Sequence, residues 1–268
     1  MSLTPLLLGL ALPALCAGLQ LKDVAEGLKK AEALRDELNL GRDNEIKLGR
    51  EVAAHLLGKY GLYTDEAVTR YVGLVGLSLV RKAGRPDLRY RFGILNTKGL
   101  NAFACPGGYV FITKGLLMRL RDEAQLSGVL AHEIAHVDRK HAILASLKGK
   151  ALGALGKELT KGSDFDQLTQ ALIESVVEKG LPQADEYDAD KRAVALLSER
   201  GYHPEGLSAV LQGLAKAGKE RAAPEGLAAW NRRHPPMSSR LSRLQKELAG
   251  VPAEGQLLQK RFLDSVSF

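Results

Sequence analysis

A chain of 268 residues has room for one large domain or two small ones. Its 45% hydrophobic and 26% charged content is that of a globular protein and leaves no case for disorder. The formal charge of +7 would suit an anionic partner, but Lys and Arg are scattered among acids with no run of five, which argues against nucleic acid as a partner.

Residues 1–21 carry no charged side chain, and Leu6 to Leu15 form an apolar core of signal-peptide length before Lys22 and Asp23 open a polar chain. Small residues around Cys16 offer a cleavage point near 16–18. The segment reads as a signal peptide or an N-terminal anchor, so the protein is expected to be exported, periplasmic or envelope-associated. No Lys or Arg precedes the apolar core, and Pro5, Gly9 and Pro13 count against a regular spanning helix. Membrane association through this end, by an uncleaved segment or a lipid on Cys16, stays open. The other cysteine is Cys105, so removal of the leader leaves no disulfide framework.

The first hundred residues are mostly helical in pattern. Val24, Leu28, Ala31, Leu34 and Leu38 recur close to a 3.6 period over 22–38. Asp43 can cap a second helix ending near Gly58, and Thr64 with Asp65 and Glu66 opens a third running to Gly84. The character changes at Pro86. Residues 88–95 alternate as a strand does, and 101–104, Pro106-Gly107-Gly108 and 109–113 read as strand, turn, strand. A small antiparallel sheet is the expectation. Asp122 with Gln125 caps the following helix, whose buried stripe would be Leu126, Val129, Leu130, Ile134 and Val137, ending near Leu147. Residues 149–163 are Gly-rich and suggest a mobile connection. Helices follow at 164–179, 184–200, from His203-Pro204 onward, and at 238–248. A short tail covers 251–268. The fold class is α+β, mainly helical, with the small sheet beside the 122–147 helix.

That helix carries the most informative stretch, His132-Glu133-Ile134-Ala135-His136. Residues four apart on a helix share a face, so both imidazoles can address one metal ion, and Glu133 is placed to take a proton from an attacking water. A catalytic zinc site needs a third protein ligand. Glu186 and Asp190, four apart on a predicted helix, are the best suppliers. Glu186 would bind the ion, while Asp190 would accept the free ring N–H of a ligand His. The competing reading makes these acids a solvated helix face with Asp185 and Asp188. His141 sits five residues after His136, a poor spacing for the same ion, and reads as structural or surface, as do His55 and His203. His234 precedes Pro235-Pro236, which stiffen its loop.

Taken together, these motifs resemble the zinc metallopeptidases of the CaaX prenyl-protease and HtpX superfamily, gluzincin-type enzymes, in a small soluble bacterial branch. The match runs from about Asn39 to Leu244 through Asn101-Ala102-Phe103-Ala104 with Pro106-Gly107-Gly108, the 113–117 and 129–137 stretches, the 186–190 acids, and His234-Pro235-Pro236 with Arg240. The resemblance implies a zincin-like metallopeptidase domain over about 22–250 and one Zn2+ on His132, His136 and Glu186. It implies Glu133 as the catalytic carboxylate, Asp190 supporting a ligand His, His234 near the metal, and Arg240 holding that region. Cys105 departs from the family pattern, and the multi-pass membrane segments of the prenyl-protease and HtpX branches are absent.

The activity expected is endopeptidase cleavage of extended or misfolded polypeptides, with envelope protein quality control as its setting. His234 is expected to donate to the oxyanion, and Asn101, Ala102, Phe103 and Ala104 to pair with a substrate main chain as an exposed edge. The Gly-rich 149–163 stretch and the 164–180 helix would act as a lid. The alternative is a latent zinc-site protein with a chaperone-like or binding role, its open metal position filled by His234.

Overall fold

Helix α1 (Arg42–Tyr60) buries Leu48, Val52 and Leu56 along one face, and Gly61 ends it. The computed structural model describes residues 41–149, 162–219 and 224–267, all within one unit, Leu40–Phe268. The expected leader, the 22–38 helix and most of the Gly-rich connection lie outside the described residues. Asp43 does not cap α1. The cap position is Gly41, and Asp43 sits in the first turn beside the positive end of the helix. Helix α2 (Glu66–Val80) is capped by Asp65, whose side chain accepts from Val68 N at 3.0 Å, and it ends four residues short of Gly84. Among the described residues, no helix is long and apolar enough to cross a membrane.

Strands β1 (Arg91–Leu95), β2 (Ala102–Cys105) and β3 (Tyr109–Thr113) form one sheet in the order β1-β3-β2. The β2–β3 hairpin is antiparallel as expected, with Ala102 opposite Ile112 and Cys105 opposite Tyr109. β1 instead pairs parallel to β3, Arg91 beside Tyr109 and Leu95 beside Thr113, so the sheet is mixed. The loop after β1 carries the chain past the position of β3, which leaves β2 as an edge strand. The hairpin turn is a 3-10 turn, Pro106–Gly108, seated on α1. Gly107 has φ 70, and a Cβ there would come 2.6 Å from Ile46 Cα, so only glycine fits without strain. Its N–H reaches the buried carboxylate of Glu45, which Arg85 also grips from 3.0 Å.

After a single turn, α3 (Lys114–Leu117), comes the central helix α4 (Glu123–Asp138). Asp122 caps it, accepting from Gln125 N at 2.8 Å, while the Gln125 side chain donates to Asp122 Oδ2 at 3.0 Å and accepts from Arg121 N at 3.1 Å. The expected stripe is buried, but so is every residue from Glu123 to Val137. A helix buried on all sides has neighbours all round. The sheet, α2, α7 and α8 supply them. Gly128 lets α8 approach backbone to backbone: a Cβ there would lie 2.5 Å from Leu207 N.

The single helix expected to run to Leu147 is broken. Lys140 adopts φ 55, and a new helix, α5 (His141–Gly149), starts beyond it. Helix α6 (Gly162–Ile173) passes into a π-helical stretch, Glu174–Lys179, ended by Gly180. Then come α7 (Gln183–Glu199), α8 (Gly206–Ala217), the unanticipated α9 (Leu227–Arg233) and α10 (Met237–Leu248). The segment expected as a tail carries α11 (Gln259–Ser265), with Phe262 buried in the main core. Arg261 binds the buried carboxylate of Glu123, which also accepts the hydroxyls of Tyr71 and Tyr202 at 2.6 Å each.

Candidate metal centre

One helical turn of α4 separates His132 from His136, and both rings turn the same nitrogen toward one point. Their Nε2 atoms stand 3.1 Å apart, with the ring planes nearly perpendicular. Helix α7 crosses this turn and brings Glu186, whose Oε2 is 3.7 Å from His132 Nε2 and whose Oε1 is 3.5 Å from His136 Nε2. Donor atoms of the three residues all lie within 4.8 Å of one another, and among the described residues no other such trio of His, Cys, Asp or Glu occurs. All three are buried, as is Asp190. This disposes of the solvated-face reading for these two acids.

The donor set fits a divalent cation. Two imidazole nitrogens and a carboxylate oxygen, aimed at one spot and withdrawn from water, are the ligands of a catalytic zinc site. A single cation would reconcile three lone pairs that otherwise face one another.

A second layer holds these donors in place. Asp190 Oδ1 lies 3.0 Å from His132 Nδ1, and Arg240 binds Asp190 through Nε at 2.9 Å and through Nη2. Arg240 is itself buried. Its Nη1 stands 3.6 Å from Glu186 Oε2 and makes no hydrogen bond. His136 is supported by a residue read from the sequence as structural or surface: His141 Nδ1 is 2.9 Å from His136 Nδ1. The five-residue spacing is poor only on an unbroken helix. The left-handed residue at Lys140 turns the chain, and α5 swings His141 back to its neighbour. Two consecutive basic residues, Arg139 and Lys140, are the one helix-end cue present. His55 is exposed and His203 half-buried, both apart from the centre.

His234 ends α9 and stacks on Trp230, ring centroids 4.2 Å apart. Its Nδ1 is 2.8 Å from Glu186 Oε2, and its Nε2 is 3.4 Å from Asn101 Oδ1. Asn101, Ala102, Phe103 and Ala104 line the same cleft as Glu133, His136, Glu186 and His234. β2 is an edge strand, as the sequence suggested, but it is not exposed: these four residues are all at most 7% accessible. Ser175, Val176, Gly180 and Leu181 from the π-helical segment and its exit line the other side of the cleft.

The electrostatics follow from burial and crowding. Burial pushes the Glu133 carboxyl up to about 7, and the neighbouring Glu186 pushes it the same way. Burial would raise Glu186 as well, but His234, His132 and His136 hold it well below the usual carboxylate range. Burial and Arg240 would lower His132, yet its acceptors Asp190 and Glu186 bring it to about 9. Burial lowers His136 and His234. Burial and then the neighbouring His136 lower His141 to about 4.

Comparison with known proteins places this geometry. The profile of Peptidase family M48 matches residues 66–248. The chain is 28% identical over 216 residues to the β-barrel assembly-enhancing protease of Escherichia coli K12, covering 76% of this chain and 43% of that protein. It is 26% identical over 166 residues to the mitochondrial metalloendopeptidase OMA1 of Schizosaccharomyces pombe, covering 60% of this chain and 49% of that one. It is 27% identical over 198 residues to an HtpX protease homologue of Kineococcus radiotolerans, covering 58% and 65%. The chain thus spans about half the length of the first two relatives. The match holds β2, both His of α4, the acids of α7 and Arg240 in one stretch, and it bears out the resemblance to HtpX-type enzymes read from the motifs. On the extent of the profile and the residues it contains, the chain belongs to Peptidase family M48.

Proposed function

We propose that the chain is a zinc-dependent endopeptidase that hydrolyses peptide bonds in extended or misfolded polypeptides. The observation that carries this is the meeting of His132, His136 and Glu186 in one buried cluster with Glu133 beside it.

Zinc bound to the three donors would supply Lewis acidity and make a water acidic enough to attack near neutral pH. The chain's residues do the rest. Glu133 takes the proton from the attacking water on its carboxylate and returns it to the leaving nitrogen. Its burial, which disfavours the charged carboxylate, suits the return of that proton. Asp190, fixed by Arg240, holds His132 by its Nδ1, and so keeps Nε2 free for the ion. His234 is assigned to the developing oxyanion, with Asn101 and Glu186 setting its ring. An extended peptide would add to the edge of β2 once that edge is uncovered, giving affinity through main-chain hydrogen bonds with little demand on sequence. The 164–180 helix, whose Ser175, Val176 and Gly180 line the cleft, is assigned the part of a lid.

An exported, envelope-associated setting is supported by the uncharged 1–21 stretch and by relatives named for β-barrel assembly. A second reading, a latent centre with a binding role, draws on the 2.8 Å contact between His234 and Glu186, which engages a ligand oxygen. One experiment separates the two: turnover of casein by the purified full chain with zinc. Cleavage that disappears in Glu133→Gln, with zinc still bound, supports the peptidase. No cleavage by a zinc-loaded wild type supports the latent reading.

A further inference from the structure

Resting on the reading of His132, His136 and Glu186 as the ion's ligands, we infer that His141 is a positioning residue for the centre, accepting the Nδ1 proton of His136 on its own Nδ1 and so presenting His136 Nε2 to the metal. A ligand imidazole must carry its proton on the nitrogen that does not bind, and a fixed acceptor there sets both tautomer and ring direction. His132 has such an acceptor in Asp190. For His136, the partner at that nitrogen is His141, at 2.9 Å with the ring centroids 5.0 Å apart and the planes tilted by 71°.

The acceptor is itself held. His141 is 6% exposed, and its far nitrogen, Nε2, lies 3.5 Å from Asp188 Oδ2, on the helix that also supplies Glu186. Arg139 Nε binds the same Asp188 oxygen at 3.1 Å. If Nε2 of His141 carries its proton toward Asp188, Nδ1 has a lone pair to offer. The two ligand histidines are therefore steadied by different chemistry, one by a carboxylate and the other by an imidazole backed by a carboxylate. Nothing in the five-residue spacing announces this, because the turn at Lys140 creates the contact.

The test is zinc affinity by chelator competition on the full chain, with wild type, His141→Phe and His141→Asn. Phenylalanine fills the space but accepts no proton. Asparagine can set an oxygen near the place of Nδ1. We expect His141→Phe to bind zinc about 10–100-fold more weakly and His141→Asn to recover most of that loss. Equal affinity in wild type and His141→Phe overturns the inference while leaving the metal centre intact. A wild type that binds no zinc overturns the ligand reading itself, and the inference with it. Should His141→Phe fail to fold, long-range proton–nitrogen NMR on wild type decides. His141 protonated on Nε2 alone supports the role, and a proton on Nδ1 overturns it.

Discussion

Arg240 holds Asp190 by both carboxylate oxygens, and Asp190 in turn meets His132 Nδ1 at 3.0 Å. A buried arginine thus stands behind a ligand histidine, on the side of the ring away from the ion. Removing it leaves Asp190 charged and buried without its cation, with the His132 ring as its remaining partner. Arg240→Ala should cost about 3–5 kcal/mol of stability, read by denaturant unfolding of the metal-free protein. Arg240→Lys should recover only part of this, since an ammonium cannot reproduce the planar two-point grip. Full recovery by lysine would show that charge alone suffices.

Glu133→Gln keeps the shape of the cleft but cannot accept a proton. Zinc content should stay at one ion per chain by elemental analysis, while peptide turnover falls by about 10²–10⁴-fold. Loss of zinc together with activity would make Glu133 a structural member of the site.

Metal removal should be felt in the fold as well as in activity. With free zinc at about 100 times its dissociation constant, a native-only site adds about 2.7 kcal/mol, so chelation should lower the melting temperature and zinc should restore it. Calorimetry with and without chelator reads this directly, and no change in melting would argue against a site built by His132, His136 and Glu186.

The close approach of α4 and α8 predicts a steric effect. A Cβ on Gly128 would meet Leu207 N at 2.5 Å. Gly128→Ala should therefore destabilise by about 1–3 kcal/mol, against the usual helix-stabilising sense of that exchange. Zinc affinity should fall with it, because Gly128 lies on the helix that bears both histidines. A more stable Gly128→Ala would mean that the helices part at no cost.

Glu123 gives a pH prediction. Burial would raise its carboxyl, but Arg261, Tyr202 and Tyr71 outweigh this and lower it below the ordinary value of 4.5. A depressed native pKa contributes stability that is present above 4.5 and lost as pH falls through the native value. Wild type should lose stability in that acidic window, while Glu123→Gln, weaker by about 1.5–3 kcal/mol at pH 7, should show a shallower acid decline. Parallel acid profiles would rule this out.

Much of the centre was legible in the chain. The 132–136 spacing fixed a shared helical face, and the 186–190 pair predicted one inward face for two carboxylates; both readings match the geometry observed. The Asp122–Gln125 cap and the Pro-Gly-Gly turn were legible because their chemistry is local. What escaped notice depends on contacts distant in sequence or on a single dihedral. β1 joins the sheet in parallel through a loop that skips a strand, which alternation does not reveal. α4 is buried all round, where a striped pattern suggested one covered face. The break at Lys140, a residue with no special freedom in φ, concealed the part played by His141.

The placement of Glu186 and Asp190 on one turn of α7 carries a consequence for assembly. The first engages the Nε2 side of His132 and the second its Nδ1 side. Successive positions on a helix point about 100° apart, so a register slip of one residue would withdraw both acids at once. The proposed metal ligand and the support of the ring are thereby tied to the same rigid rod. The centre should switch between complete and dismantled, with no stage at which the imidazole keeps one of its two acidic neighbours and forfeits the other.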